Sequence, residues 1–383
     1  MGRRRSIRGE RIAHLAVLVM SLGVAAQTQA VLVNINYSYD GGFFTNPSVN
    51  PNAAAAKSAM EYAARTYDRL LDNLAGITPS GRNRWEARLI SPSTEESLSI
   101  ANLSVPADTL TVFVGGHSMA GSLLGLGGPG GYSASGTGAW LNTVEARGQS
   151  GALQTIATDT GPWGGFISFN SSATWNFSTS SLPPGGQNDF LSVAIHELGH
   201  VLGIGTGSSW DNNVTWDTGT ADFTGSHSAS LYGGNVPLNA SASHWAEGVM
   251  SRVDGASQEA AMDPSLTVGR RKLFTDLDYA ALVDIGWQVA SPGDANGDGS
   301  IDVGDLAILG AHYGTGGNHW LQGDFTGDGN VDVGDLGVLG AHYGQVYSGT
   351  VPEPATLCLL ALGAVGLRRR GSGVKPSQRA QRR

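Results

Sequence analysis

Apolar and polar positions change period several times along the chain, and each period predicts an element. Residues 12–26 (IAHLAVLVMSLGVAA) form an almost unbroken apolar run behind a basic stretch at 3–11. Residues 53–74 (AAAAKSAMEYAARTYDRLLDNL) place Met60, Ala64, Tyr67, Leu71 and Leu74 at helical spacing, which predicts an amphipathic helix with that face inward. Residues 110–114 read as a short buried strand, and 165–170 (GFISFN) alternate as a strand does. Residues 188–205 (NDFLSVAIHELGHVLGIG) return to helical spacing behind Asn188 or Asp189, either of which can cap a helix. A further helical pattern follows at 273–287 (LFTDLDYAALVDIGW).

Near the C-terminus the pattern repeats itself. GDANGDGSIDVGDLAILGAHYG (293–314) and GDFTGDGNVDVGDLGVLGAHYG (323–344) lie 30 residues apart. Each copy carries oxygen-bearing residues on alternate positions and then an apolar helix. The first offers Asp294, Asn296, Asp298, the carbonyl of Ser300, Asp302 and Asp305, and the second Asp324, Thr326, Asp328, the carbonyl of Asn330, Asp332 and Asp335. Gly299 and Gly329 stand where such a loop turns sharply. A hard cation takes about six to eight oxygens, and this spacing wraps six positions round one point, so each loop is expected to hold one Ca2+.

Composition narrows the class. Of 383 residues, 40% are hydrophobic and 14% charged, enough apolar material for a core and too little charge for a disordered polyelectrolyte. The net charge of −9 conceals two basic ends. Setting aside the twelve basic and two acidic residues of 1–30 and 352–383 leaves 11 basic and 30 acidic residues between, a charge near −19. So acidic a body repels phosphate backbones, which excludes nucleic acid as a partner. The single cysteine, Cys358, excludes a disulfide framework and a cysteine metal site.

The ends read as addresses. A basic stretch, an apolar run and the small residues Ala26 and Ala30 have the layout of a secretory signal peptide, residues 1–30. At the other end Val351-Pro352-Glu353-Pro354 precedes an apolar stretch, 355–367, that stops at Arg368-Arg369-Arg370. Thirteen residues of helix reach about 20 Å, short of a hydrocarbon core of about 30 Å, so only transient membrane association is expected. Residues 351–370 resemble the PEP-C-terminal sorting signals of Gram-negative bacteria, and the resemblance implies processing by an exosortase and a cell-envelope or extracellular location. A basic tail, 371–383, follows.

The candidate chemistry lies in the helix predicted at 188–205. His196 and His200 are four apart, so both imidazoles leave one face and can grip one metal, while Glu197 can accept a proton from a water that the metal activates. His-Glu-x-x-His is the zinc-peptidase arrangement, and Gly203 permits the sharp bend that brings later chain to the metal. A catalytic zinc needs a third protein ligand. His117, His227 and His244 are the candidates in the body, since His14 falls in the signal and His312, His319 and His342 in the repeats.

The motif resembles the metzincin peptidases, whose usual H-E-x-x-H-x-x-G-x-x-H this chain leaves at Thr206. His244 and then Met262, in a turn-like Met-Asp-Pro, follow in an order that resembles the leishmanolysin-like metzincins. There an insertion separates the glycine from the third histidine. The resemblance implies His196, His200 and His244 as zinc ligands, Glu197 as general base, Met262 as the methionine of the turn beneath the metal, and 273–287 as the closing helix. It implies an α+β zincin-like domain at 31–290, with a twisted mixed sheet and an active-site helix, and an edge strand at 165–170 that pairs with extended peptide substrate. The repeats at 293–345 resemble a type I dockerin, implying a small all-α calcium-loop domain that docks onto a cohesin-like partner. Val303-Gly304 and Val333-Gly334 depart from the hydroxyl residues that cohesin binders often carry there. Ser291-Pro292 reads as a short linker between the two.

The function expected is an exported zinc-dependent endopeptidase. Two other classes fit parts of the sequence: a non-catalytic surface-binding protein on a zincin fold, and a carbohydrate-associated hydrolase docked through its repeats.

Overall fold

The computed structural model describes residues 30–347. The apolar run at 12–26, the sorting signal at 351–370 and the basic tail lie outside the described residues.

The body is built on a four-stranded sheet in the order β1 (Leu32–Asn36), β4 (Thr109–His117), β7 (Gly164–Asn170), β5 (Gly125–Pro129). β1, β4 and β7 run parallel and β5 antiparallel to β7, with Gly125 opposite Phe169 and Pro129 opposite Gly165. Both faces are covered. On one face Leu110, Val112, Val114, Ile167 and Phe169 meet α1 (Ala53–Arg65) and α3 (Phe190–Val201). On the other, Phe113 and Phe166 pack with Trp85, Trp140 and Trp163. These tryptophans belong to or border the antiparallel sheet β3 (Ser97–Ala101), β2 (Arg84–Ile90), β6 (Gly131–Ser135) and α2 (Gly138–Ala146). Side chains alternate between two buried faces, which is why 110–114 reads as one apolar run.

β7 occupies the interior of the sheet, with all seven residues buried and neighbours on both sides. It is therefore not the edge strand expected at 165–170. The edge on that side is β5, whose sequence GLGGP carries no alternation to announce it.

The helix expected over 53–74 stops at Arg65. Tyr67, Leu71 and Leu74 point inward as expected, but from a turn and extended chain. Their backbone has better partners than an i−4 carbonyl: Leu70 bridges Val289, and Leu71 N donates to Gln288 O at 2.8 Å.

Between the metal helix and the end of the body lie α4 (Ser208–Asp211), α5 (Ser226–Tyr232), a small sheet of Val214–Asp217, Thr220–Phe223 and Val236–Pro237, a hairpin of Met250–Val253 and Ala256–Glu259, and α6 (Asp276–Asp284). Two more helices, α7 (Val303–His312) and α8 (Val333–His342), belong to the repeats, and each opens with an aspartate capping box, Asp302/Asp305 and Asp332/Asp335. The repeats share a small core of Ala295, Ile301, Leu309, Trp320, Phe325, Val331 and Leu339 that takes in Leu71 and Ala290 from the body.

Candidate active site

α3 is anchored before it begins. Asp189 caps it, accepting from Ser192 N at 3.2 Å and Ser192 Oγ at 2.6 Å. The same buried carboxylate takes a two-pronged contact from Arg271, Nε at 2.9 Å and Nη2 at 2.8 Å. Eleven of the twelve residues of α3 are buried, so this helix is a core element that carries ligands.

Within it, His196 and His200 turn their Nε2 atoms toward each other at 3.1 Å, and His244 brings a third Nε2 to 3.1 Å from His200 and 3.2 Å from His196. Among the described residues these three form the one cluster of its kind. His196 Nδ1 faces the Ala261 carbonyl at 2.7 Å and His200 Nδ1 the Ile204 carbonyl at 2.8 Å. A carbonyl only accepts, so each Nδ1 carries the hydrogen and each Nε2 presents a lone pair. His244 Nδ1 faces a hydroxyl and an amide instead, Ser243 Oγ at 2.9 Å and Asn239 Nδ2 at 3.3 Å.

Burial, then the neighbouring His200 and His244, holds His196 well below the usual histidine range. Burial lowers His200, and burial followed by His200 lowers His244 to about 4. Three neutral imidazoles with converging Nε2 atoms fit a cation. A zinc with nitrogens at about 2.0–2.1 Å in tetrahedral array spaces them about 3.3–3.4 Å apart, close to what these residues present.

The bend after α3 follows the glycine. Gly203 adopts φ +109, a conformation other residues avoid, and delivers the Ile204 carbonyl to His200. Thr206, at the usual third-ligand place, donates its hydroxyl to the His200 carbonyl at 2.7 Å and so closes the helix end. His117 faces Glu95 at 2.7 Å, and His227 faces Asp284 at 2.9 Å; neither is brought to the cluster.

Glu197 is buried against β5, and burial, partly offset by a hydrogen bond from the Gly127 backbone, pushes its carboxyl up to about 8. β5 has glycines where it meets the helix. A Cβ at Gly125 would stand 2.7 Å from Glu197 Oε1, and one at Gly127 would stand 2.8 Å from the Glu197 carbonyl oxygen. Gly127→Ala is therefore expected to push the strand off α3 and lower the unfolding free energy by about 1–3 kcal/mol, measured by denaturant titration.

Met262 is fully buried beneath α3, and a Cβ at Gly199 would stand 2.6 Å from its sulfur. Its segment is held by a group the sequence reading passed over. Asp278, inside the capping box of α6, accepts from Thr275 N at 2.8 Å, Thr275 Oγ1 at 2.7 Å, Ala261 N at 2.9 Å, Met262 N at 3.2 Å and Trp245 Nε1 at 2.8 Å. One carboxylate thus fixes the methionine segment, the carbonyl partner of His196, and the residue after His244. The spacing Thr275-x-x-Asp278 before an apolar run was the available signal.

In the repeat loops the carboxylates engage their own backbone. Asp294 accepts from Gly297 N and Gly299 N, and Asp305 from Ala295, Asn296 and Asp302 N. Asp324 accepts from Asp328 and Gly329 N, and Asp335 from Thr326 and Asp332 N. Asp298 and Asp328 hold Ser300 and Asn330 N, and Asp302 and Asp332 hold Gly304 and Gly334 N.

Residues 142–214 match the family model of the matrixins. The match runs from within α2 through α3 and contains His196, Glu197 and His200; it ends before His244 and Met262. With the mixed helices and sheets, it fits an α+β zincin-like fold and supports a zinc metalloprotease in general. Residues 350–370 match the model of the PEP-CTERM protein-sorting motif, which indicates an exported protein targeted to the surface of a Gram-negative cell and handled by an exosortase. No curated protein and no solved structure matches the chain.

Proposed function

We propose that this protein is an exported zinc-dependent endopeptidase. The observation that carries the reading is the meeting of three Nε2 atoms at 3.1–3.2 Å beside a buried glutamate that abuts a sheet edge. His196, His200 and His244 would hold the metal, with Met262 beneath them. Bound zinc supplies Lewis acidity to the scissile carbonyl and to the attacking water. Glu197 takes the proton of that water and returns it to the leaving amine. The outer edge of β5 pairs with the substrate main chain in extended form, as an added strand.

The test is incubation of the purified chain, zinc-loaded, with an unfolded protein, reading peptide bonds cut by mass spectrometry with and without a chelator. Chelator-sensitive cleavage is expected. A folded, zinc-loaded chain that cuts no peptide bond overturns the reading in favour of a surface-binding role.

The repeats are read as two calcium loops on a dockerin-like module. Residues at matching positions of the two repeats, Val303, Leu306 and Tyr313 and then Val333, Leu336 and Tyr343, stand exposed and are read as contacts for a cohesin-like partner. Burial, before any neighbouring charge, pushes Asp294 and Asp324 up to about 6. Raised above the ordinary carboxylate value of about 4, these groups favour the cation-free module in acid, and that contribution is lost as pH climbs through about 6. Calcium must displace their protons, so its affinity is expected to fall about tenfold per loop from pH 7 to pH 5 in isothermal titration calorimetry.

A further inference from the structure

The chain leaving α1 and the chain leaving α6 run side by side, and the repeat module is seated on their seam. Ala290 N donates to Arg69 O at 2.8 Å, and Arg69 returns two donors to Ala290 O, Nη2 at 2.7 Å and Nε at 3.1 Å. Residues 291–292, expected to be a linker, therefore follow a point tied down from both sides.

The Arg69 guanidinium lies 4.1 Å from the ring centroid of Tyr279 on α6 and 4.7 Å from that of Trp320 in the module, a cation between two aromatic faces. Asp68 Oδ2 meets His319 Nδ1 at 2.7 Å. Leu71 enters the module's own core. The second loop touches the body directly: a Cβ at Gly329 would stand 1.7 Å from an Arg65 guanidinium nitrogen. The Tyr62 phenol on α1 is pushed up by burial first and next by Asp328 and Asp324. The hydrogen bonds of the first loop, among the described residues, stay within 291–347.

The covered seam also holds the zinc-site residues in place. Tyr67, two residues before Arg69, donates to the carbonyl of Ile195 at 2.6 Å, next to His196. Tyr279, under Arg69, donates to Thr66 O at 2.8 Å and follows Asp278 in sequence.

We infer that the repeat module is a fixed buttress of the peptidase domain, and that a divalent cation in its second loop is felt at the histidine cluster through Arg65, Asp68 and Arg69. The charges agree with this. Asp324, Asp328, Asp332 and Asp335 bring four carboxylates to the loop, so a doubly charged cation leaves it net negative and Arg65 keeps an attractive partner. This inference rests on the calcium reading of the second loop and on the zinc reading of the histidines.

The test uses the exported chain, zinc-loaded and carrying Glu197→Ala to prevent self-cleavage, with Arg69→Ala beside it. Calcium alone is the probe. In the parent, scanning calorimetry is expected to show one transition that calcium, at about a hundred times its dissociation constant, raises by about 5–10 °C. Zinc release to a colorimetric chelator is expected to slow severalfold with calcium. In Arg69→Ala the transition should split, calcium moving one part, and zinc release should no longer respond. If Arg69→Ala does not fold, His319→Ala, which removes the half-exposed Asp68 contact and leaves Arg69 in place, is expected to weaken the same response. Two transitions in the parent, or zinc release indifferent to bound calcium, overturn the inference. Calcium that gives no binding heat overturns it as well, and with it the calcium reading itself, so titration calorimetry tells the two failures apart. A parent that retains no zinc overturns the zinc reading instead.

Discussion

Replacing Glu197 by alanine is expected to lower kcat for peptide cleavage about 10²- to 10⁴-fold, the range that a positioned general base contributes. KM should change little, because the contacts proposed between β5 and substrate run through the backbone. Zinc should remain at one per chain by metal analysis, since the three Nε2 atoms and their carbonyl and hydroxyl partners do not include this side chain. The melting temperature should not fall. Burial disfavours the charged form of this carboxyl, pushing it up to about 8, and alanine removes that burial penalty. A variant with full activity would remove Glu197 from the mechanism, and a variant without zinc would make it a structural support instead.

The second large effect is expected at Asp278. In Asp278→Asn an NH2 group takes the place of one oxygen in a buried ring of five donors, so at least one N–H or O–H is left facing another donor. Each such orphan costs about 1–3 kcal/mol. The unfolding free energy from denaturant titration should drop by that amount or more. Loss of support behind a ligand lowers metal affinity by about 10- to 100-fold, so the zinc dissociation constant should rise by that factor. Burial raises the Asp278 carboxyl and the hydrogen bonds from Thr275, Trp245 and Ala261 work against that rise, so the ring opposes the protonation that burial favours. Unchanged zinc affinity in a folded variant would reduce Asp278 to a helix cap.

What was legible in the sequence was whatever obeys a local period. His196 and His200 were readable as a pair because a helix repeats every 3.6 residues, and Asp189 because caps precede apolar runs. His244 sits 44 residues beyond His200, so no period reaches it, and only its order before Met262 singled it out. β5 was invisible because glycine has neither face to alternate, and its work is done by backbone and by the space a side chain would fill. The end of α1 was misplaced because Tyr67, Leu71 and Leu74 keep their inward spacing after the helix has given way to extended chain. The Arg271–Asp189 pair spans 82 residues and leaves no trace in composition or spacing. Ser291-Pro292 reads as a linker, and Arg69, which ties down Ala290 just before it, lies far upstream.

The bare wall made by β5 has an evolutionary side. Three of its five residues are glycine, and at two of them any side chain collides with α3. Selection can therefore adjust this wall at Leu126 and Gly128, where space is open, but not at Gly125 and Gly127. Under the proposed function, preference for one substrate sequence over another is then expected to arise in the segments between α3 and α6. Chains of this fold that cut different sequences should then differ there and keep Gly125 and Gly127, a pattern that an aligned set would display directly.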